Sequence, residues 1–185
     1  MTAVVSAAPL VVERPRRFPA RVEATYQRRR RRLEGRLHGR VLDLDRPEAR
    51  DEVARASVER HVVPSHDTAV SVAQLVRFPD LLAALRALDR LVVPGGELVL
   101  VEPCAGPGLG QLVLDTLWAP SPWVSGFHVG RAITPALRCT SFVLHDIERF
   151  TMPTLVSPLR HGVEVHAARR PAAAEQEGTP LEATP

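Results

Sequence analysis

The stretch from Asp67 to Pro103, DTAVSVAQLVRFPDLLAALRALDRLVVPGGELVLVEP, decides the fold. Val70 and Val72, then Leu98, Val99, Leu100 and Val101, make apolar runs too short for helices and too continuous for a sheet with one wet face. Such runs belong to parallel strands covered on both sides. Between them Leu81, Leu82, Leu85, Leu88 and Leu91 recur at helical spacing and form one apolar stripe. Pro79 and Asp80 mark the start of that helix, and Pro94-Gly95-Gly96 its end. A helix of this length between two buried strands is a right-handed crossover, so the segment is half of a doubly wound α/β sheet.

Working outward, Arg21 to Leu37 has good helix formers and an apolar edge at Val22, Tyr26, Leu33 and Leu37, and reads as a helix packed across the flank of the sheet. Val41 to Leu44 is the first strand, Pro47 to Arg60 a helix, and His61-Val62-Val63 a brief strand. Beyond Pro103, Gly110 to Trp118 reads as a helix, and a Pro-, Ser- and Gly-rich loop then reaches His128. Thr134 to Arg138 is a short helix, and Ser141 to Phe150 and Val163 to Ala168 are strands. Residues 1–20 carry Pro9, Pro15 and Pro19 with little periodicity, and residues 169–185 show no apolar pattern. Both ends are expected to be disordered, leaving one domain over 21–168. No internal repeat is present.

The totals agree with one domain. The chain has 185 residues, of which 45% are hydrophobic and only 4% aromatic, so aliphatic side chains must fill the core. The formal charge is +3 and every basic residue is Arg, with no Lys. No segment reaches the ~20 apolar residues that span a bilayer. The mildly apolar opening MTAVVSAAPLVV has no basic residues before it and does not read as a secretion signal. Cys104 and Cys139 fit neither a metal spacing nor a disulfide framework, and are expected to be reduced thiols in a cytoplasmic protein.

The order and spacing of several motifs resemble the class I S-adenosylmethionine-dependent methyltransferases. Within that class the likeness is to the small-molecule branch, with its quinone-biosynthesis C-methyltransferases and thiol-methyltransferase-like proteins. The residues that carry it are Arg40-Val41-Leu42-Asp43-Leu44, Asp67-Thr68-Ala69-Val70-Ser71, Arg90-Leu91-Val92-Val93-Pro94-Gly95-Gly96 and Glu102-Pro103. Gly126-Phe127-His128-Val129-Gly130-Arg131, Ile147 to Pro153 and Gly162-Val163-Glu164-Val165 continue it, over roughly residues 21 to 168. The resemblance implies a truncated Rossmann-like α/β sheet of five or six strands with an antiparallel last pair. It also implies transfer of a methyl group from S-adenosylmethionine to a small molecule. Asp43 would orient the methionine amino group of the cofactor, with Asp45 beside it and with Ser71, Ala73 and Gln74 at the end of the next strand. His128, in a loop that would close over substrate, is the candidate general base.

The residues themselves argue against a well-built cofactor seat. A glycine-rich turn after the first strand lets the backbone approach the cofactor without a Cβ collision and leaves helix N–H groups free for it. Here Asp45-Arg46-Pro47-Glu48-Ala49 stands in that place, and no glycine occurs between Gly39 and Gly95. Asp45 is suited to cap the following helix, with Pro47 in its first turn and Glu48 near its positive end, so the helix is expected to be closed by its own residues. Only 22 residues separate Asp45 from Thr68. The standard topology needs a helix, a strand, a second helix and a third strand there, and one βαβ unit takes about 30 residues. At least one strand–helix pair is therefore expected to be missing, together with the acidic strand end that would hold the ribose. Weak or absent cofactor binding follows.

Other features carry less. Glu102-Pro103-Cys104-Ala105-Gly106-Pro107-Gly108-Leu109-Gly110 resembles a glycine motif, but no strand with an acidic end follows it within about 20 residues. His161 and His166 lack a third ligand, so no metal is expected. The run Arg28 to Arg32 could meet phosphates of RNA or a membrane surface, yet it has no aromatic partners to stack bases, and nucleic acid is disfavoured. Two alternatives to an active methyltransferase therefore stand. One is a catalytically silent homologue acting as a homo- or hetero-oligomeric partner, for instance of a complete methyltransferase. The other is a basic-helix module for RNA or membrane surfaces.

Overall fold

The computed structural model describes residues 18–59, 61–106, 128, 131–154 and 159–171. Helix α1 (Ala20–Glu34) is followed by strand β1 (Val41–Asp43), helix α2 (Pro47–Val58) and strand β2 (His66–Val72). A 3-10 turn (Leu75–Arg77), helix α3 (Leu81–Leu91) and strand β3 (Val92–Pro103) come next. Helix α4 (Ile133–Leu137) and strands β4 (Phe142–Thr151) and β5 (His161–Arg169) complete the described elements. The expected helix at Gly110 to Trp118 lies outside the described residues.

The sheet order is β1-β2-β3-β5-β4. β1, β2 and β3 are parallel, with Asp43 opposite Val70 and Ser71 opposite Leu100. β5 runs antiparallel to both β3 and β4, so the last pair is antiparallel. Side-chain alternation splits the core in two. Ala69, Leu98, Leu100, Val163 and Val165 face Val53, Ala56, Leu85 and Leu88 of α2 and α3. Val70, Val72, Val99 and Val101 face Val22, Tyr26 and Leu33 of α1. Asp80 caps α3 by accepting the Ala83 N–H at 2.9 Å, and the leucine stripe of that helix is buried at Leu85, Leu88 and Leu91.

Three local expectations need correction. His61 to Val63 form no strand: Pro64 cannot donate to a ladder, Val63 is 82% exposed, and the backbone is next held at Ser65, its N–H to Leu91 O at 2.9 Å. Pro94-Gly95-Gly96 lies inside β3 rather than before it. The pairing of β2 with β3 jumps there from His66↔Val92 to Thr68↔Glu97. Gly95 has φ +83°, and a Cβ on Gly96 would sit 2.7 Å from Asp67 O, so both glycines are needed for this bulge. α1 ends at Glu34, because Gly35 is a poor helix former, and Leu37 packs on the core from outside the helix. At the ends, Phe18 is buried with its ring 5.4 Å from that of Tyr26, and β5 runs on to Arg169.

The expected shortening is plain in the topology. Between β1 and β2 there is one helix, α2, where the longer arrangement has two helices and two strands. β1 is consequently an edge strand among the described residues. An open α/β sheet of order 3-2-1-4-5-6 binds its ligand where that order reverses, in a crevice opened by connections that leave to opposite faces. Here β1, β2 and β3 proceed in one direction and α2 and α3 pack together on one face. Among the described residues the strand order does not reverse at β1.

Candidate functional site

The carboxyl ends of β1, β2 and β3 bring together Asp43, Asp45, Ser71, Ala73, Gln74 and Glu102. What holds the first two is Arg30 of α1, from the middle of the arginine run. Its Nη2 donates to Asp43 Oδ2 at 2.5 Å, and its Nη1 donates to Asp45 Oδ2 and, at 3.3 Å, to Asp43 Oδ1. Gln74 Nε2 donates to the other Asp45 oxygen at 2.8 Å. Gln74 Oε1 in turn accepts from Arg50 of α2 at 3.2 Å and from Arg77 at 2.9 Å. Arg50 also donates to the Leu44 and Asp45 carbonyls at 2.9 and 3.2 Å. Burial pushes the Asp45 carboxyl above its ordinary range, and Arg30 opposes that push.

This network corrects the reading of Asp45 as a helix cap. The N-cap of α2 is Arg46, with Pro47 at the first helical position and no side chain capping the end. A half-buried carboxylate gains more from a guanidinium than from a neutral backbone N–H, which is why Asp45 turns to Arg30 instead. The turn is closed, but by the neighbouring helix rather than by its own residues.

A second cluster lies one strand over. Glu102, wholly buried at the end of β3, accepts through Oε1 from the Ser71 hydroxyl, from Gln74 N at 3.0 Å and from Leu75 N at 3.1 Å. Among the described residues its Oε2 and the Tyr26 hydroxyl are buried without a hydrogen-bond partner. Burial raises the Glu102 carboxyl to about 7, against the opposing pull of the Ser71, Leu75 and Gln74 donors. Burial also raises Tyr26 well above its ordinary value, with Glu102 adding to the effect. Ala73, between the clusters, has φ +53°, a left-handed conformation that costs a non-glycine residue about 1 kcal/mol.

Ser71 thus serves Glu102, and Gln74 bridges the two clusters. His128 is placed by its backbone N–H on Val76 O at 2.7 Å, beside the turn after β2. A cavity of about 170 Å³ at this end is lined by Tyr26, Asp45, Ala73, Gln74 and Arg77. That is below the ~300 Å³ at which small-ligand sites begin. Arg30, Arg50 and Arg77 were not singled out from the sequence. The arginine run carried a signal for the first, and only the folded topology brings the other two to Gln74. Glu102 had the sequence signature of an acidic residue closing an apolar strand.

No protein-family model matches the chain, and no curated protein does. Solved structures do. A methyltransferase from Thermotoga maritima, described as a possible histamine N-methyltransferase, aligns over 80% of this chain and 91% of its own at TM-score 0.54 and 15% identity. The fold is that of the class I S-adenosylmethionine-dependent methyltransferases. A putative methyltransferase from Bacillus halodurans C-125 aligns over 62% of this chain and 69% of its own at TM-score 0.50 and 11% identity. With an S-adenosylmethionine-dependent methyltransferase from Methanosarcina mazei the likeness is 19% identity and TM-score 0.46 over 63% of this chain. The chain spans 65% of that protein's length, less than two thirds. The methyltransferase fold stands here in a shortened form, with β1 as the edge strand among the described residues.

Proposed function

We propose that the chain is a catalytically silent methyltransferase-fold protein that acts through binding rather than by methyl transfer. One observation carries this reading: Arg30 occupies both Asp43 and Asp45, the carboxylates a cofactor would have to meet at the end of β1. An incoming adenosyl or methionine group would have to break two ion pairs that are mostly shielded from water. It would regain only the contacts that a sheet with β1 as its edge among the described residues can offer. Displacing one partner of such a pair leaves a largely shielded, unpaired charge, at a cost of roughly 1–3 kcal/mol. The same shortfall argues against an active enzyme on a small-molecule substrate, and it makes His128 a loop anchor rather than a general base.

A basic-helix role draws no support from the middle of the arginine run. Arg29 and Arg30 point inward, to Glu148 and Glu164 and to Asp43 and Asp45 respectively. Among the described residues no helix is long and apolar enough to cross a membrane.

Isothermal titration of the chain with S-adenosylmethionine and with S-adenosylhomocysteine tests the reading. No heat of binding at millimolar ligand is expected, and sub-millimolar affinity for either would overturn it.

A further inference from the structure

On the far side of Glu102 from Arg30 the described residues form a groove at the end of the sheet. Two adjoining cavities, about 230 and 170 Å³, share Cys104, Ala105 and Arg149. The larger is walled by Arg131, Ile133 and Val163, the smaller by His161. Backbone hydrogen bonds fix the walls: Cys104 N to His161 O at 3.0 Å and Ala105 N to Arg131 O at 3.1 Å. We infer that this groove binds a small organic carboxylate, with the anion on Arg149 and a short apolar body against Ile133 and Val163.

Charge is the first argument. Among the described residues no acidic side chain lines either cavity, whereas two guanidinium groups do. Strand alternation produces this. Arg149 is paired with Val163 and shares its face, while Glu148 and Glu164 point to the opposite face and are held there by Arg29.

The two arginines differ in what they can offer. Arg131 spends Nη1 on Phe78 O at 2.6 Å and Nη2 on Pro79 O at 2.8 Å, so it contributes a fixed positive charge. Arg149 is exposed on β4, and among the described residues its guanidinium makes no hydrogen bond or ion pair. A planar guanidinium with all its donors available fits a carboxylate bidentately. Taken together, the cavities reach the lower end of the size range for small-metabolite sites. This inference goes beyond the silent-homologue reading and does not require that the cofactor be excluded.

Cys104 lies in both cavities and reports on their occupancy. Its alkylation by iodoacetamide is followed by mass spectrometry in a Cys139→Ser background, with benzoate as the probe and with phosphate and chloride at matched ionic strength. Benzoate is expected to slow the reaction several-fold, and more than either inorganic anion does. Arg149→Gln, an exposed substitution that should leave the fold intact, is expected to abolish the protection. Arg138→Gln, outside the groove, is expected to retain it. Absence of protection, equal protection by phosphate or chloride, or protection that survives Arg149→Gln would each overturn the assignment.

Discussion

Arg30 Nη2 lies 2.5 Å from Asp43 Oδ2, so a helix that precedes the sheet in sequence closes the turn that opens it. The Arg30 side chain is 22% exposed, Asp43 14% and Asp45 26%, so the pairs are shielded but not dry. Replacing Arg30 by Ala strands two carboxylates, one of them already pushed toward protonation by burial. The expected loss is roughly 1–3 kcal/mol, below the range for fully buried pairs. Urea denaturation at neutral pH measures it. If the shortened topology excludes the cofactor, as proposed, the variant is expected not to bind S-adenosylmethionine either, because β1 is still the edge strand among the described residues. Binding by the variant but not by the native chain would show that Arg30 alone, and not the shortened topology, shuts the seat.

Glu102 predicts a pH dependence of stability. Its carboxyl is raised from 4.5 to about 7 by burial, so the folded chain holds a proton that the unfolded chain has released. Its contribution is fully present below about pH 4.5 and is lost as pH rises toward 7, roughly 3 kcal/mol in all. Glu102→Gln keeps an oxygen for Ser71, Gln74 and Leu75 and removes the titration. Relative to this variant, the native chain is expected to lose stability between pH 5 and 7.5. Parallel denaturation curves for the two across that range would show that Glu102 does not titrate there.

How much of this was readable beforehand depends on whether a feature is local. The crossover from β2 through α3 to β3 was legible because each strand is a continuous apolar run and the helix stripe repeats at its own period. The shortened interval after Asp45 was legible by length alone. The missing strand–helix pair followed from it, whereas the resulting strand order did not, because that order is a property of the whole sheet. The helix-cap reading of Asp45 failed for a related reason. A capping preference is local, while Arg30 is 15 residues away and arrives only when α1 packs on the opposite face. Arg50 and Arg77 meet on Gln74 in the same way, from separate elements.

The arginine run should divide under substitution. Arg29 has a side chain 11% exposed, bonds Glu164 at 2.6 Å and Glu148 at 2.8 Å, and lies 3.5 Å above the centre of the Phe150 ring. A lysine there keeps the charge but loses both the planar stacking and the two-armed donation. Arg29→Lys is expected to destabilise by roughly 1–2 kcal/mol. Arg31→Lys, two positions along and exposed, should fall within about 0.5 kcal/mol of the native chain. Equal midpoints for the two variants in urea would mean that the inward contacts of Arg29 contribute nothing net.

Phe150 lies over Gly162, its partner in the β4–β5 register, while Arg29 covers the ring from α1. A Cβ on Gly162 would strike the ring at Cζ and at Cε2 and come within 2.9 Å of Cε1. The glycine is there for space: only its missing side chain lets an aromatic ring lie flat on the strand and present its face to the guanidinium. Gly162→Ala must push the ring outward, which disturbs the cation–π contact as well as the strand pair. Overpacking of this kind costs roughly 1–3 kcal/mol. If the collision is the cause, Phe150→Leu should absorb most of it. Gly162→Ala would then cost far less in a Phe150→Leu background, and a double-mutant cycle in urea would report a coupling on the order of 1 kcal/mol. Additive losses would place the cost in the glycine backbone instead.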